Sequence, residues 1–368
     1  MVRVYLSSRT SVPRWLSVTT QIATVVAALA VGGIALAFTG VDPFQAYSIL
    51  FIDTLTTPYT ITNTIVRAVP LVLAGYAVFL PLKAGLENIG AEGQIYLGGI
   101  LGTWVGLNLG LPSPILLPVM VLSGLLGGAL WALVPAFLRA KWNVNEILTT
   151  LMSVFIAIQV NEYLINGPMQ GGAGAFPRSE SLPTGALLPT IPGTGFHVGV
   201  LFLVVVPVLL HLLLNRTRLG YEITMTGSNP EAAGQAGMSK FKIYVIVLTL
   251  GAAFAGLAGM VEIAANQQRL TSQWSPGYGW TAIPIALLGR RGAFQTALAG
   301  FFFAILIVGS LQMQSALSVS AALASVIEAL VILFLITAEF VRSYEVYVET
   351  ERNFGRDLPF VNVVGKES

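Results

Sequence analysis

Residues 216–242 have the sequence RTRLGYEITMTGSNPEAAGQAGMSKFK and separate two apolar stretches, one that ends near Leu214 and one that begins near Tyr244. Basic residues stand at both ends of this polar segment: Arg216, Arg218, Lys240 and Lys242. Lysine and arginine beside membrane spans accumulate on the cytoplasmic side. The pattern therefore predicts two membrane helices joined by a structured cytoplasmic segment.

A short helix is predicted inside this segment. Asn229 is a good N-cap, Pro230 suits the first helical position, and Glu231 complements the positive end of the helix dipole. Gly237 suits the left-handed residue that ends a helix. One face of this helix is nearly all alanine and glycine, so we expect it to enter a groove on a soluble partner. The alternative is a capped connector that touches only solvent.

The composition is that of a membrane protein. Hydrophobic residues make up 55% of the chain, charged residues only 10%, and the mean hydropathy is +0.78. Soluble domains of this length do not have such values. The formal charge of +2 provides no basic field for nucleic acid. The chain contains no cysteine, which excludes disulfides and thiolate-bound metals.

Apolar stretches of the length that crosses a bilayer, about 20 residues, recur along the chain. About ten are predicted, at residues 16–38, 61–82, 94–109, 115–138, 147–165, 198–214, 244–265, 280–288, 296–311 and 320–340. The eighth is too short to span alone. We predict an all-α fold, a polytopic transmembrane helical bundle, with a membrane domain at 16–340 between tails at 1–15 and 341–368.

The basic residues alternate between successive loops. Arg139 and Lys141 follow the fourth stretch, the polar segment follows the sixth, and Arg290 and Arg291 follow the eighth, whereas the loops between them carry few basic residues. By the positive-inside rule, both termini and the helix at 229–237 are cytoplasmic. The loop 167–196, which is rich in glycine and proline, is then on the outer face.

Small residues recur at four-residue spacing in several of the predicted helices. Such stripes let helix backbones approach closely in a membrane. They are Gly98, Gly102, Gly106 and Gly110; Gly124 and Gly128; and Gly251, Ala255 and Gly259. They predict a tightly packed bundle and indicate no particular function.

Residues 82–99, LKAGLENIGAEGQIYLGG, place polar side chains among glycines where a predicted helix enters the membrane. A charge at membrane depth costs roughly 2.5 to 3.5 kcal/mol on insertion scales, and irregular backbone is tolerated there only beside protein or a water-filled cavity. We therefore expect Asn88, Glu92 and Gln94 to line a gate or substrate path. The alternative is an interfacial helix start, with Asn88 as N-cap and the acidic side chains facing the cytosol.

A second polar group lies in KWNVNEILTTLM, residues 141–152, at the start of the fifth stretch. Asn145, Glu146 and Thr149 are candidates for lining the same polar path. The alternative is local: Asn145 is an N-cap, and Glu146 in the first turn stabilises the positive end of the helix.

The short eighth stretch, within GYGWTAIPIALLGRRG at 277–292, has Pro284 at its centre and glycines at both ends. This pattern predicts a broken or half-length helix, which in transporters often borders the substrate site. Tyr278 and Trp280 could stack on a sugar or a base, although aromatic belts at the membrane interface explain such residues more often.

Glu328 lies near the middle of the last predicted stretch. An ionisable group at that depth is a candidate functional residue, and Arg67 in the second stretch is a possible counter-ion. Motifs for ATP phosphates, HExxH and GxSxG are absent from the sequence. The chain is therefore predicted not to be an enzyme and not to hydrolyse ATP itself.

Four segments in this order resemble one known family: GLENIGAEGQ at 85–94, NEILTTLM at 145–152, GSNPEAAGQAGM at 227–238, and GYGWTAIPIALLGRRGAF at 277–294. They are similar to the permease subunits of ABC importers in the branched-chain amino acid and simple-sugar permease superfamily. The nucleoside-type permeases that work with a basic membrane lipoprotein-type binding protein are the most similar group. The resemblance covers residues 61–340, and Glu87 departs from the aromatic residue that the family usually has before the asparagine.

The resemblance implies a multi-pass permease in the cell membrane, surrounded by lipid. It further implies a second permease subunit, two cytoplasmic ATPase subunits that carry ATP and Mg, and an external substrate-binding lipoprotein, with no cofactor on this chain. The helix at 229–237 becomes the coupling helix, and its ATPase-contacting residues are then Asn229, Pro230, Glu231, Ala232, Ala233 and Gly237. The implied substrates are nucleosides first and simple sugars second.

An ion-coupled secondary transporter of a small polar solute is the alternative function. It would need buried acidic groups or ion sites at broken helices in the membrane, for which Glu328 is the candidate in the sequence.

Overall fold

The computed structural model describes residues 3–8, 14–172, 176–320 and 344–349, together with 322–323, 325–327, 329–330, 333–334 and 337. The chain divides into two compact units, one formed by residues 1–48 and 310–368 and the other by Ile49–Gly309. The larger unit contains the polar segment 216–242 and the short helix after residue 277.

Helices make up most of the described chain. They are α1 Arg14–Phe38, α2 Pro43–Tyr47, α3 Thr54–Thr56, α4 Pro58–Lys83, α5 Ala91–Asn108, α6 Ser113–Trp142, α7 Glu146–Ile165, α8 Phe202–Arg216, α9 Arg218–Ser228, α10 Pro230–Gln235, α11 Lys240–Glu262, α12 Tyr278–Leu288 and α13 Ala293–Leu317. Wider π turns occupy Ser48–Asp53 and Ile263–Gln267, and 3-10 turns occupy Thr184–Ala186 and Val198–Leu201. The smaller unit adds a feature not predicted from the sequence: strands β1 (Arg3–Ser8) and β2 (Tyr344–Glu349) pair antiparallel.

Six helices of the described chain are long and apolar enough to cross a membrane: Pro58–Lys83, Ser113–Trp142, Glu146–Ile165, Val198–Arg216, Lys240–Gln267 and Ala293–Leu317. Two shorter apolar helices are Val26–Phe38 and Tyr278–Leu288. The chain is a helical, multi-pass membrane protein, as predicted. The total of about ten spans and the cytoplasmic termini stay predictions, because the stretch 320–340 and the tails lie largely outside the described residues.

Local sequence signals set the helix ends near the two polar motifs. Pro58 opens α4 at its first turn. Asn143 adopts the left-handed conformation at φ 52° and ends α6. Two residues later the Asn145 side chain accepts hydrogen bonds from the N–H groups of Ile147 and Leu148, at 2.9 and 3.2 Å. Asn145 is therefore the N-cap of α7, the local role considered for it.

In the larger unit, α4 and α11 form the centre of the bundle. Within their most apolar windows, 83% of α4 and 78% of α11 are buried, against 33%, 22% and 22% for α6, α7 and α8. Helix α11 packs against α4, α5 and α6, while α12 packs against α4 and α5. The short helix α12 therefore lies against α4 of the central pair and against α5.

Glycines let these helices touch backbone to backbone. A methyl group on Gly98 of α5 would overlap the carbonyl oxygen of Gly256 in α11, and one on Gly128 of α6 would overlap that of Ala252. The predicted close packing is confirmed for these stripes. It is wrong for Gly110, where an added methyl group would have nothing within 4 Å, because α5 ends at Asn108.

In the smaller unit, α1 and α2 are joined by a specific contact. The Tyr47 hydroxyl donates a hydrogen bond of 2.5 Å to the Leu29 carbonyl oxygen. Gly32 leaves room for the ring, since a methyl group there would approach the Tyr47 hydroxyl oxygen to 2.8 Å. The Asp42 side chain caps α2 through the Phe44 N–H.

The long loop between α7 and α8 is fastened to the chain that follows α11. The backbone hydrogen bonds run from Ser179 to Leu270, from Leu182 to Gln268 and from Leu188 to Ala264, at 2.8 to 3.0 Å. These bonds satisfy backbone groups of two irregular segments at the same time. The loop is therefore a built part of the larger unit.

Gly98→Ala is expected to destabilise the protein by about 1 to 3 kcal/mol, because the methyl group meets rigid backbone. Gly110→Ala is the matched control and should change stability by less than about 0.5 kcal/mol. Thermal unfolding of the detergent-purified variants measures both effects. Equal unfolding midpoints for the two variants would contradict the packing of α5 on α11.

Candidate functional site

Between α11 and α13 the helical structure is interrupted in the interior of the larger unit. Helix α11 ends in a π turn, Gln268 turns the chain at φ 59°, and irregular backbone continues to Gly277 at φ 88°. Helix α12 then has only 11 residues, about 16 Å at 1.5 Å per residue, against about 30 Å for a bilayer core. The half-length helix predicted from the sequence is present.

A glutamate from another helix holds the start of α12. The Glu92 carboxylate of α5 accepts a hydrogen bond of 2.6 Å from the Gly279 N–H, and Ser275 lies beside the same side chain. Glu92 is only 3% exposed, so the alternative, in which the acidic side chains face the cytosol, is wrong for this residue. A carboxylate at this position satisfies free N–H groups and favours the positive end of the helix dipole.

Asn88 and Gln94 form a buried amide pair beside Glu92. Asn88 Nδ2 donates to Gln94 Oε1 and Gln94 Nε2 donates to Asn88 Oδ1, both at 3.0 Å. Asn88 also donates to the Ala77 carbonyl oxygen at 2.9 Å. Gly90, not Asn88, is the N-cap of α5. The pair thus joins α4 to the start of α5 and has no surface exposed to solvent.

Glu262, at the end of α11, accepts more side-chain hydrogen bonds than the other acidic residues of the described chain. It was not predicted as a site residue. It is 1% exposed. Glu262 accepts hydrogen bonds from Asn266 at 2.7 Å, from Gln267 at 3.0 Å and from the Tyr278 hydroxyl at 3.4 Å. The positive charge of Arg67 in α4 lies close enough to interact with Tyr278. The signal available in the sequence was one acid followed by three amides, EIAANQQ at 262–268, after a long apolar run.

The second predicted polar group, at the start of α7, contacts the turn before α5: the Glu87 N–H donates to Glu146 Oε1 at 3.5 Å and the Ile89 N–H donates to Thr150 Oγ1 at 3.3 Å. Glu146 forms an ion pair of 3.2 Å with Arg139 of α6. The Thr149 hydroxyl donates to the carbonyl oxygens of Asn145 and Glu146 at 3.2 Å. These side chains close the turn between α6 and α7, and no described contact joins them to Glu262.

The two aromatic side chains predicted to stack on a ligand do not share a face of α12. Tyr278 is 1% exposed and Trp280 is 41% exposed, as expected for residues two apart on a helix, about 200° around its axis. The Glu328 side chain lies outside the described residues, so its pairing with Arg67 stays a prediction.

The polar segment 216–242 contains two helices, where the sequence analysis predicted one. In α10, the Asn229 side chain caps the N–H groups of Glu231 and Ala232 at 3.1 and 3.0 Å. Gly237 has φ +80°. Hydrogen bonds from Gly237 to Gly234 and from Met238 to Ala233 complete a Schellman ending. The predicted start and stop signals are confirmed.

Helix α10 presents small side chains to solvent. Ala233 is buried, whereas the rest of the helix is exposed or half-buried: Pro230, Glu231, Ala232, Gly234 and Gln235. Helix α9 seats this segment on the bundle. A methyl group on Gly227 would overlap the Lys83 carbonyl oxygen at the end of α4, and one on Gly220 would overlap the carbonyl oxygens at the end of α8.

Basic side chains collect at this same end of the larger unit. Arg139 and Lys240 both lie over the Tyr244 ring, at 5.8 and 5.4 Å from its centre. The charges of Lys83 and Arg290 interact. The ends of α4 and α6 and the start of α11 therefore meet beside α9 and α10, and we name this region the basic end.

Residues 60–336 match the family model described as the branched-chain amino acid transport system / permease component. The chain belongs to this permease family. It is 50% identical to a glucose ABC transporter permease protein of Haloferax volcanii, over 97% of this chain and 97% of that protein. A guanosine ABC transporter permease protein of Bacillus subtilis is 29% identical, over 86% of this chain and 92% of its own length.

A second guanosine ABC transporter permease protein of Bacillus subtilis is 25% identical, over 67% of this chain and 82% of that protein. No solved structure matches the chain. The family match includes the Glu92, Glu262 and α10 regions of this permease. It confirms the resemblance seen in the four motifs, while the roles of the individual site residues stay predictions.

Glu92→Ala is expected to lower the free energy of unfolding by about 1 to 3 kcal/mol, because it leaves the buried Gly279 N–H without an acceptor. Glu92→Gln keeps an acceptor oxygen and should cost less. Glu87→Ala removes an exposed carboxylate of the same turn and serves as the control, expected within about 0.5 kcal/mol of the parent protein. Thermal unfolding in detergent compares the three variants, and equal midpoints for Glu92→Ala and Glu87→Ala would refute the anchoring of α12.

Proposed function

We propose that the chain is the membrane permease subunit of an ABC importer and forms the translocation path for a simple sugar. The observation that supports this best is the 50% identity to a glucose ABC transporter permease, which extends over 97% of both chains. The four family motifs, which lie on α5, α7, α10 and α12, are consistent with the same function.

The basic end is proposed to face the cytoplasm. Arg139, Lys141, Lys240, Lys242 and Arg290 cluster there, as the positive-inside rule requires. Helix α10 is then available to a cytoplasmic partner. Its exposed alanine and glycine surface suits insertion into a groove, because small side chains let two backbones approach closely.

The partner at α10 is proposed to be an ABC ATPase, which would bind ATP and Mg on its own residues. Closure of two such ATPase subunits would move α10, and α9 would pass the movement to α4 through Gly227. Rigid-body movement of packed helices is a common form of such transitions. The end of α4 leads directly to the Asn88–Gln94 pair and to Glu92, which holds α12.

A second permease subunit and an external substrate-binding lipoprotein complete the proposed importer in the cell membrane. Bacillus subtilis has two guanosine permeases similar to this chain, which favours a heterodimer. The loop 167–196, at the end of α7 away from the basic end, is the proposed receptor for the lipoprotein.

Nucleosides are the alternative substrate class, since two similar permeases are named for guanosine. An ion-coupled secondary transporter is the alternative mechanism. The buried Glu262 beside a broken helix is the observation that favours it, because such carriers bind ions at broken helices.

The complex that co-purifies with the tagged chain is expected to import radiolabelled glucose into proteoliposomes only when ATP and Mg are supplied to the ATPase side. Guanosine uptake in the same vesicles decides between the two substrate classes. A proton or sodium gradient without ATP is the control. Uptake that depends on the gradient and not on ATP would contradict the importer and support the ion-coupled secondary transporter.

Gly227→Ala is expected to reduce the sugar imported per ATP hydrolysed by about threefold or more, since the methyl group displaces α9 from the end of α4. Gly110→Ala is the matched control, because it lies outside the proposed docking surface and an added methyl group there has nothing within 4 Å inside this chain. Uptake and ATP hydrolysis are measured in the same vesicles. An unchanged ratio of sugar imported to ATP hydrolysed in Gly227→Ala would exclude the contact between α9 and the end of α4 as the route of movement.

A further inference from the structure

Side chains from three parts of the larger unit meet where α11 ends. They come from α4, from α11 with its π turn, and from α12, and together they form the Glu262 cluster: Arg67, Glu262, Asn266, Gln267 and Tyr278. The carboxylate is at the centre, with its three donors at 2.7 to 3.4 Å. The broken helix α12 thus begins beside a polar site inside an apolar bundle.

The π turn is the reason that two amides reach one carboxylate. In a regular α-helix the side chains at i and i+4 lie on the same face, and the side chain at i+5 points away. The wider π turn over Ile263–Gln267 brings the residues at i+4 and i+5 from Glu262, Asn266 and Gln267, to the same side. Such turns cost helix stability and are frequent at functional sites.

The contacts select one kind of ligand chemistry. The described partners of the Glu262 carboxylate are N–H and O–H donors, and Arg67 adds a positive charge beside Tyr278. A bound metal cation needs several converging ligands, and the described residues hold no group of three or more His, Cys, Asp or Glu side chains that could bind one. Hydroxyl groups fit the site, because each can donate to the carboxylate and accept from an amide or guanidinium.

The cluster is open on one side. Glu262 and Tyr278 are each 1% exposed, whereas Asn266 is exposed and Arg67 and Gln267 are half-buried. The buried acid therefore lies beneath an accessible rim of amide and guanidinium groups. A clamp that served only to join the three helices would have no need of a polar rim at the surface.

We propose that the Glu262 cluster is the sugar-binding site of the translocation path and recognises the hydroxyl groups of the sugar. This inference rests on the proposed import function and adds the residues that contact the substrate. The longest contact of the carboxylate, 3.4 Å from the Tyr278 hydroxyl, is the one that a substrate hydroxyl replaces. Because Tyr278 is the first residue of α12, binding there acts directly on the half-length helix.

The test compares uptake of glucose with that of 2-deoxy-, 3-deoxy- and 6-deoxyglucose by the complete reconstituted complex. Each sugar is supplied at a concentration that saturates the binding lipoprotein. The parent complex is expected to prefer glucose over at least one deoxy analogue by about tenfold, the effect of a lost hydrogen bond to a charged group. Glu262→Gln and Asn266→Ala are expected to remove most of that preference. With guanosine as substrate, 2′- and 3′-deoxyguanosine take the place of the deoxyglucoses.

Glu162→Gln is the matched control, an acid-to-amide change at a side chain that accepts a hydrogen bond from Ser272 outside the cluster. It should keep the preference. Equal loss of uptake for every sugar in the Glu262 and Asn266 variants would overturn the proposal and leave a structural clamp, as would an unchanged preference. If Glu262→Gln does not fold, the Asn266→Ala variant tests the proposal, because Asn266 is exposed. A parent complex without ATP-dependent uptake would instead refute the import function itself.

Discussion

The need to satisfy backbone hydrogen bonds inside an apolar bundle is the constraint on which the larger unit depends. A half-length helix exposes N–H groups where lipid offers no acceptor, and each one left unsatisfied costs several kcal/mol. In this permease Glu92 supplies the acceptor at Gly279. Glu92 lies next to the turn before α5, which the Asn88–Gln94 amide pair joins to α4. A broken helix is stable here because polar side chains of its neighbours complete it.

The glycines of α5, α6 and α11 make that arrangement possible. Backbone contact at Gly98 and Gly128 brings the three helices close enough for short side chains to bridge them. The same closeness leaves little freedom for the central helices to move separately. Movement that enters from α10 is therefore expected to displace packed groups of helices, with α12 and its hydrogen-bonded start as the element that responds.

Features specified by neighbouring residues could be predicted from the sequence, and features specified by tertiary contacts could not. The ends of α10 follow from Asn229 and Gly237, and the short α12 follows from its glycines and proline. The role of Glu262 depends on Arg67 and Tyr278, which are distant in sequence, and on a π turn that no residue pattern announces. Asn88 resembled an N-cap locally, yet its hydrogen bond to Ala77 gives it a role in packing. Helix α9 was missed because only one of its three buried positions, Ile223, is a large apolar residue, and the others are Gly220 and Thr226.

The way α9 and α10 are attached separates two kinds of evolutionary change. Their contacts to the bundle include glycine backbone of α9 at 220 and 227, where any larger residue collides. Their free surface consists of short side chains that contribute little to folding. Exposed positions such as Glu231 and Gln235 can therefore diverge while the bundle stays intact. With the docking proposed for α10, a duplicated copy of this gene could acquire a different ATPase partner by a few surface substitutions, without change to the solute that it transports.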